Sequence, residues 1–356
     1  MRKFKNIIVT GGAGFIGSNF IRYVFQDTEF NGRIINMDKL TYAGNASSLD
    51  DISDSFGNRY VFERIDICDF DAVKVCIAKY EADCVIHFAA ESHVDRSIHG
   101  PADFIQTNIV GTFNLLEACR QIWGDRKDVL FHHVSTDEVF GSLGESGFFY
   151  ETTAYDPRSP YSASKASSDH IVNAYFHTYG LNITMSNCTN NYGQYQFPEK
   201  LIPVMLLNML AEKNLPVYGD GMNIRDWLYV VDHCSGIWAI VKNGKVGETY
   251  NIGGENEWTN ISLVNRMCEL VAEKTGKEIN YYKKLITYVK DRPGHDRRYA
   301  IKCDKIKSEL GWKQSVTFDQ GLSLTVDWYL NNPCWIENIK SGEYLKWIDK
   351  NYSGRV

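Results

Sequence analysis

Residues 7–21 of the chain read IIVTGGAGFIGSNFI. An apolar strand pattern ends here in glycines, and a helical pattern begins at about Phe15. In the GxxGxxG array, Gly11 permits a tight turn, Gly14 lets backbone approach a pyrophosphate, and Gly17 allows the helix to pack against the strand. Unpaired N–H groups at the helix start would face the phosphates. The stretch therefore predicts a dinucleotide-binding βαβ unit, although a glycine-rich turn without a ligand has the same pattern.

Strand and helix patterns alternate through the first half of the chain. Predicted helices cover about Phe15–Phe25, Asp69–Tyr80, Pro101–Gln121 and Pro160–Tyr179. Predicted strands cover Asn6–Thr10, Arg33–Asp38, Tyr60–Asp66, Cys84–Ala89, Val129–Ser135 and Asn182–Asn187. This alternation predicts an α/β fold with a doubly wound parallel sheet, the Rossmann arrangement.

The regular alternation of strand and helix patterns ends after Asn190. We predict a helix at Leu201–Ala211, a hairpin at Leu215–Gly221, a return to the sheet at Arg225–Val241 and Thr249–Ile252, a helix near Ile261–Thr275, and strands at Ile279–Tyr282 and Thr287–Val289. We expect an NAD-binding Rossmann domain at residues 1–189 with a return segment at about 228–256. A smaller mixed α/β C-terminal substrate domain is expected at 190–227 and 257–356.

Composition excludes several classes of protein. The 356 residues carry 38 Lys and Arg against 44 Asp and Glu, a net charge of −6 that argues against coating nucleic acid or acidic membrane. The nine cysteines form no CxxC pair, which suggests reduced thiols and neither a zinc nor a redox site. The apolar run Ile7–Val9 is too short for a signal segment, and no run approaches a membrane span. We expect a cytoplasmic protein without a metal.

Two strand ends carry carboxylates suited to a dinucleotide. Asp38 lies about 20 residues past the last glycine, where a carboxylate accepts ribose hydroxyls and repels the 2′-phosphate of NADP. The neighbouring Lys39 softens that preference for NAD. Asp66 is placed either to reach the adenine amino group or to cap the following helix. NAD is the predicted cofactor.

The segment 158-RSPYSASKASSDH-170 predicts a helix start, with Ser159 as the N-cap and Pro160 at the first helical position. Tyr161 and Lys165 are then i and i+4 and project from one face. A lysine beside a phenol lowers the phenol pKa, which would give a base able to deprotonate a sugar hydroxyl. An ordinary exposed pair on an amphipathic helix is the alternative.

The segment 132-HHVSTDEVFG-141 places Asp137 and Glu138 side by side just past a strand end. Open α/β sheets bind ligands at this edge, and two close carboxyls push one pKa upward. One neutral acid beside one ionised base suits the elimination of water. A solvated acidic turn or a cap is the alternative, and we interpret His132 and His133 as structural.

These features together resemble the extended short-chain dehydrogenase/reductase superfamily, through TGGAGFIG, Ser135-Thr136 and Tyr161-Ser-Ala-Ser-Lys165. The whole chain closely resembles the dTDP-glucose 4,6-dehydratase family. The segments that carry this resemblance are STDEVFG, 88-FAAESHVDRS-97, 190-NNYGQYQFPEKLIP-203, 223-NIRDWLYV-230 and 291-DRPGHDRRYA-300. By position, the resemblance implies catalytic roles for Thr136, Asp137, Glu138, Tyr161 and Lys165.

The resemblance also implies a reaction. Tyr161 would remove the O4 proton while C4 gives hydride to NAD, Glu138 would take the C5 proton, and Asp137 would protonate the departing C6 hydroxyl. Hydride then returns to C6, so NAD would stay tightly bound. The product, dTDP-4-keto-6-deoxyglucose, feeds deoxysugar biosynthesis such as that of rhamnose. A homodimer is expected, with Pro101–Gln121 and Pro160–Tyr179 as interface helices unless their apolar positions face the sheet.

Binding residues carry over by position. The implied NAD contacts are Gly11, Gly14, Phe15, Ile16, Gly17, Asp38, Lys39, Leu40, Thr41, Asp66, Ile67, Phe88, Ala89, Ala90, Thr107, Tyr161, Lys165 and Asn191. The implied sugar-nucleotide contacts are Ser92, Thr136, Asn190, Lys200, Leu201, Pro216, Tyr218, Arg225, Asn260, Arg292 and His295. Lys200, Arg225 and Arg292 are cations suited to binding a pyrophosphate, and the alternative interpretation is that they are ordinary surface charges.

Some assignments stay open at this point. His93 and His295 are also compatible with packed histidines. Gln194 and Gln196 replace the Pro and His common in the family, at positions expected to flank the contacts. Another sugar-nucleotide dehydratase or epimerase, using a UDP-, CDP- or GDP-sugar, is the nearest alternative function. Asp137-Glu138 speaks against an epimerase, which needs only the Tyr/Lys pair and NAD. A catalytically silent NAD-sensing or scaffold protein on the same fold is a further alternative. Such a protein would lack one of the catalytic residues, whereas every expected position is filled in this sequence.

Overall fold

The computed structural model describes residues 1–339. The strands are β1 (Asn6–Thr10), β2 (Arg33–Met37), β3 (Tyr60–Glu63), β4 (Cys84–His87), β5 (Leu130–Thr136), β6 (Ile183–Cys188), β7 (Asn190–Tyr192), β8 (Leu215–Tyr218), β9 (Ile224–Tyr229), β10 (Thr249–Ile252), β11 (Glu257–Thr259) and β12 (Ile286–Val289).

The helices are α1 (Phe15–Gln26), α2 (Asp50–Phe56), α3 (Phe70–Lys79), α4 (Val94–His99), α5 (Pro101–Phe104), α6 (Thr112–Trp123), α7 (Pro160–Tyr179), α8 (Leu201–Leu210), α9 (Val230–Asn243), α10 (Asn260–Thr275), α11 (Ile279–Lys283), α12 (Asp304–Leu310), α13 (Phe318–Asn331) and α14 (Pro333–Ile339).

Seven strands form one parallel sheet in the order β10-β6-β5-β4-β1-β2-β3. Alternate residues of β1 enter different cores: Ile7 and Val9 pack on the side of α1 and α9, and Ile8 packs on the side of α3 and α6. Parallel strands covered by helices on both faces read as continuous apolar runs, which is why these strands were visible in the sequence. The predicted doubly wound Rossmann sheet is confirmed.

The small lobe consists of β7, β8, β9, β11 and β12 with helices α8, α10 and α13. Its strands form a three-stranded sheet, β11-β9-β7, and a two-stranded sheet, β12-β8. A separate apolar core holds these elements together, with Leu206, Val217, Val264 and Leu322 fully or almost fully buried. The chain leaves the large sheet after β6, returns for β10, and leaves again at β11.

Three predictions for the second half of the chain are wrong in detail. Leu215–Gly221 is not a hairpin, because β8 pairs in parallel with β12, opposing Leu215 to Ile286. Ile279–Tyr282 is helical, and its apolar run is too short to distinguish a strand from a buried helical turn. Arg225–Val241 returns to the large sheet only through α9, since β9 belongs to the three-stranded sheet.

The predicted helix Pro101–Gln121 is interrupted. Between α5 and α6 the residues Ile105–Gly111 form a π-helical turn. A Cβ atom on Gly111 would lie 2.5 Å from Cδ1 of Ile67, so the glycine allows this close approach. Single π-turns inside helices are frequent at functional sites. Here the wider turn places Asn108 to bond both Ser164 and the backbone of Glu91.

Within residues 1–339 no helix is both long and apolar enough to cross a bilayer, and no three His, Cys, Asp or Glu side chains are grouped to hold a metal ion. Of the nine cysteines, seven are buried, Cys68 is half-buried and Cys334 is exposed. The domain boundaries at 189, 227 and 256 stay a prediction. The part of the second domain at 340–356 lies outside the described residues.

Candidate active site

A cavity of about 440 Å³ lies at the carboxyl ends of the parallel strands and continues between the large sheet and the small lobe. All the predicted catalytic and substrate residues line it, as do all the predicted cofactor residues except Leu40 and Asp66. The Leu40 N–H donates to Asp38, and Asp66 accepts from the Cys68 N–H and lies 3.4 Å from Lys39. Asp69, rather than Asp66, caps α3.

The glycine loop forms a cradle that admits no side chain at its tightest points. Gly11 has φ +69°, and a Cβ there would lie 2.7 Å from the Ala89 backbone. A Cβ on Gly17 would lie 2.3 Å from the Gly11 carbonyl oxygen. The N-cap of α1 is Gly14, which offers no side-chain bond to the first amides of the helix. These residues fit the pyrophosphate of a dinucleotide, which binds unpaired amides at a helix start.

Asp38 joins the end of β2 to the glycine loop. Its Oδ2 accepts from the Ala13 N–H at 3.0 Å and its Oδ1 from the Leu40 N–H at 2.8 Å. Burial raises the pKa of this carboxyl, and the two amides oppose that rise. Each carboxylate oxygen has a further lone pair, so Asp38 can hold the loop and still accept ribose hydroxyls.

Tyr161 and Lys165 lie side by side at the start of α7, as predicted. Ser159 and Ser162 form a capping box, and Pro160 occupies the first helical position. The Lys165 Nζ donates to the Val134 carbonyl at 2.9 Å and lies 3.4 Å from His133 Nε2. Both side chains are buried, which removes the alternative of an ordinary exposed pair.

The expected direction of the Tyr161 pKa is wrong for this arrangement. We predicted that Lys165 lowers the pKa of the phenol towards neutrality. Burial and the nearby charge of Glu138 instead raise the Tyr161 pKa well above its usual value, and a hydrogen bond with Thr136 opposes them only in part. Burial also lowers the pKa of Lys165, so the lysine itself depends on nearby negative charge.

Asp137 and Glu138 open a 3₁₀ turn, Asp137–Phe140, directly after β5. The Thr136 hydroxyl caps this turn, accepting from the Glu138 N–H at 3.3 Å. Burial, Glu138 and Asp226 raise the pKa of Asp137 well above its usual range. Burial also raises the pKa of Glu138, but Arg292, Lys200 and Arg225 oppose that rise. The surroundings of the two carboxyls therefore differ, since Glu138 and Asp226 add to the rise in the Asp137 pKa while three cations oppose the rise in the Glu138 pKa.

Three cations from distant parts of the chain surround the outer part of the cavity. Lys200 donates to the Ser92 carbonyl at 2.8 Å. Arg225 is 5% exposed, donates to the Asp296 carbonyl and lies 4.4 Å from the Tyr299 ring centre. Arg292 lies 3.7 Å from Asp95. None of the three is an exposed surface charge, so a pyrophosphate in this cavity would meet them partly desolvated.

The histidines fall into separate groups. His295 lies in the cavity with Nδ1 2.6 Å from Asp291, and burial together with Arg292 and Arg225 lowers its pKa to about 4. His93 caps α4 and also lines the cavity. His132 bonds Thr184 and Ser186 and is structural, as expected. His133 instead lies beside Lys165, which sequence reasoning missed.

Other residues of the cavity also escaped prediction. Gln196 was expected only to flank the contacts, yet it lines the cavity and donates to the Asn191 carbonyl at 3.0 Å. The remaining missed polar lining residues include Glu91, Asp95, Glu199 and Tyr299. All four lie inside the quoted motifs at 88–97, 190–203 and 291–300, so a signal was present. Gln194 bonds Tyr229 and Asn19 and does not line the cavity.

Residues 8–325 match the family model described as GDP-mannose 4,6 dehydratase. The chain is 56% identical to a dTDP-glucose 4,6-dehydratase of Shigella flexneri, over 98% of this chain and 99% of the relative. The chain belongs to the dTDP-glucose 4,6-dehydratase family.

Solved structures of this family have the same fold. A dTDP-glucose 4,6-dehydratase from Bacillus anthracis in complex with NAD is 46% identical, with a TM-score of 0.83 over 94% of this chain and 100% of that one. Another from Streptomyces venezuelae, solved with NAD and a second ligand, is 42% identical, with a TM-score of 0.86 over 94% and 100% of the two chains. NAD is the cofactor of this family fold, in agreement with the glycine cradle.

Proposed function

We propose that this chain catalyses the NAD-dependent dehydration of dTDP-glucose to dTDP-4-keto-6-deoxyglucose, a hydro-lyase step in deoxysugar biosynthesis. The observation that carries this proposal is the adjacent pair of a buried Asp137 and a half-buried Glu138, held in unequal surroundings within the cavity that contains Tyr161. An epimerase has no use for such a pair. The family model bears the name of a GDP-sugar enzyme, but the relative with 56% identity is named for dTDP-glucose.

Oxidation at C4 begins the proposed reaction. Bound in the cradle of Gly11, Gly14 and Gly17, NAD supplies the hydride acceptor at C4 and the hydride donor at C6. Tyr161 takes the O4 proton, and the Thr136 hydroxyl bonds the phenol. Lys165, held by the Val134 carbonyl, favours the phenolate as this proton leaves. Because the phenol pKa is raised by burial, the base depends on this cation.

Elimination of water follows at C5 and C6. The 4-keto group acidifies the C5 proton, which Glu138 removes as the ionised carboxylate among Lys200, Arg225 and Arg292. Asp137, whose pKa burial raises well above its usual range, gives its proton to the departing C6 hydroxyl. The different surroundings of the two carboxyls thus support the division of roles that the sequence left open.

The remaining cavity residues form the proposed substrate site. Lys200, Arg225 and Arg292 would bind the pyrophosphate through charge-assisted hydrogen bonds. Tyr218 would hold the thymine or deoxyribose. The other proposed contacts are Ser92, Thr136, Asn190, Leu201, Pro216, Asn260 and His295, all of which line the same cavity.

Incubation with dTDP-glucose alone, in deuterated water, tests the reaction. We expect the 4-keto-6-deoxy product with one deuterium at C5 and no net rise in absorbance at 340 nm. A panel of UDP-, CDP- and GDP-glucose under the same conditions serves as the control for the nucleotide. Formation of a 4-epimer alone, or preference for another nucleotide, would contradict the proposal.

The roles of the two carboxyls can be separated. Glu138→Gln should lower the dehydration rate by about 10²- to 10⁴-fold while still allowing NAD reduction in a single turnover. Asp137→Asn should also lower dehydration but should permit exchange of the C5 proton with solvent. A Glu138→Gln variant that exchanges this proton at the normal rate would contradict the assignment of the base.

We further propose a homodimer that forms through α6, α7 and the π-helical turn. This side of the molecule exposes Ile105, Phe113 and Tyr179, between 44% and 55% of their surfaces. Light scattering should give about twice the chain mass of 40.7 kDa, and Phe113→Glu should shift the population to monomer. Val75→Glu, an exposed apolar residue on α3, is the matched control. We also propose a cytoplasmic location, where the nine cysteines would stay reduced.

A further inference from the structure

Helix α7 carries a third ionisable side chain, Asp169, on the same face as Tyr161 and Lys165. Asp169 follows Lys165 by four residues and is fully buried. Its Oδ2 accepts from the Ser135 hydroxyl at 2.7 Å and from the Tyr155 hydroxyl at 2.9 Å. Burying a carboxylate is costly unless hydrogen bonds and an opposite charge compensate it. Two hydroxyls supply the hydrogen bonds to Asp169, and a nearby cation is needed to supply the opposite charge.

The other oxygen of Asp169 and the Lys165 ammonium both lie close to the His133 ring. Asp169 Oδ1 lies 3.0 Å from His133 Nε2, and the same nitrogen lies 3.4 Å from Lys165 Nζ. All three side chains are buried. His133 does not carry the charge, since burial and Lys165 lower its pKa well below the usual value. Lys165 is therefore the cation that compensates Asp169.

We propose that Asp169, which lies beside His133, is a positioning residue that keeps the buried Lys165 charged and aimed at Tyr161. This inference rests on the roles proposed above for Tyr161 and Lys165. A lysine ammonium removed from water loses its proton more easily, and a carboxylate nearby reverses that tendency. Asp169 thus maintains the cation on which the base of the reaction depends.

The titrating groups around this cluster are consistent with that role. Lys165 faces His87, His133 and Cys188 on three strands, and Asp169 on its own helix. Asp169 faces Lys165, His133, Tyr155 and His170. Burial lowers the pKa of Lys165, and Asp169 contributes the largest opposing effect. Burial raises the pKa of Asp169 to about 6, while Lys165 and the two hydroxyls oppose it.

Asp169→Asn tests the proposal because it keeps the shape of the side chain and removes the charge. We expect kcat for dTDP-glucose at pH 8 to fall by about 10- to 100-fold, with KM changed by less than about twofold. The alkaline limb of the kcat profile should move to lower pH by about one unit, since Lys165 now loses its proton more easily. Part of the lost activity should return as the pH falls towards 7.

Asp232→Asn is the matched control. Asp232 is a buried carboxylate on α9 that bonds Ser315 and the Val316 amide and does not line the cavity. The control should lose thermal stability and keep the wild-type pH profile. An Asp169→Asn enzyme with an unshifted alkaline limb would overturn the proposal, because the carboxylate of Asp169 in the wild-type enzyme would then have only a structural role.

Tyr155→Phe gives a second test if Asp169→Asn does not fold. It removes one hydroxyl from Asp169 and leaves the carboxylate, His133 and Lys165 in place. The acid limb of kcat should then move to higher pH, since Asp169 becomes harder to ionise. An acid limb that stays in place would overturn the proposal. Absence of product from the wild-type enzyme would instead contradict the proposed function, so the two failures are distinguishable.

Discussion

The two ends of the cavity recognise their ligands by different means. At the cofactor end, the loops after β1 and β2 present backbone amides and glycines. Asp38 accepts hydrogen bonds from two of these backbone N–H groups. At the substrate end, Lys200, Arg225 and Arg292 project from separate segments. The cofactor end therefore depends on backbone shape, which one methyl group can disturb. The substrate end depends on charge, which side-chain replacement can change within the same fold.

The largest effect should come from adding one methyl group at the cofactor end. A Cβ on Gly17 would lie 2.3 Å from the Gly11 carbonyl oxygen and 2.8 Å from the Gly12 Cα, both backbone atoms. Gly17→Ala must therefore displace α1 from the loop, and we expect NAD affinity to fall about 1,000-fold or more. The NAD content of the purified protein and its far-UV circular dichroism would check this.

Gly144→Ala makes the same chemical change at a glycine whose Cβ would meet nothing within 4 Å. It should keep wild-type NAD content. If Gly17→Ala also keeps its NAD, the cofactor end is not limited by backbone shape and the comparison fails.

At the substrate end, Arg292→Met should raise KM for dTDP-glucose by about 100-fold, since it removes a charged partner and leaves Asp95 without it. NAD content should not change. Arg297→Met is the control, because Arg297 is half-exposed and pairs with Asp220 at the surface. Steady-state kinetics with a parallel NAD assay would measure both. Equal effects of the two variants would show that the buried cations are not the phosphate site.

Asp38 is a charged side chain at the cofactor end, and Asp38→Asn should have an intermediate effect. Loss of the negative charge should reduce the preference for NAD over NADP by about tenfold. The amide can still accept from only one of the two backbone N–H groups that Asp38 now bonds. Binding titrations with both cofactors would measure the change, and unaltered discrimination would contradict the role of the carboxylate.

The smallest effect concerns stability at the substrate end. The Asp137 pKa is raised in the fold, so above the usual carboxyl pKa the folded chain binds more protons than the unfolded chain. Its contribution to stability therefore declines as the pH rises from the unfolded pKa towards the folded one. Asp137→Asn removes this penalty and should raise Tm at pH 8 by about 1 to 3 °C, with a smaller gain at pH 5.

Asp220→Asn should change Tm at pH 8 in the opposite direction, because Arg297 lowers the pKa of that exposed carboxyl. Differential scanning calorimetry at both pH values would compare the two variants. A lower Tm for Asp137→Asn at pH 8 would contradict the raised pKa.

Local chemistry explains what the sequence could predict. The glycine loop, the Ser159 N-cap before Tyr161 and the carboxyls after β5 each depend on residues within a few positions of one another. The strands of the large sheet were visible because both of their faces are buried. These features predict that the cofactor and the catalytic groups lie at one edge of the large sheet.

Contacts between distant segments explain the errors. The pairing of β8 with β12 joins Leu215 to Ile286, and no local pattern specifies that partner. The π-helical turn depends on Gly111 meeting Ile67. The direction of the Tyr161 pKa depends on burial and on Glu138, and the cluster of Asp169 and Lys165 includes His133 from β5. Each of these requires the folded chain.

The interleaved path of the chain limits how the family can diversify. Strands β7, β8 and β9 of the small lobe come before β10, the last strand of the large sheet, in the chain. No single cut in the sequence therefore separates the large sheet from the small lobe. Exchange of a whole lobe between relatives would need several simultaneous crossovers. New sugar or nucleotide preferences should therefore arise by point substitution around a conserved backbone, and engineering of this enzyme should follow the same route.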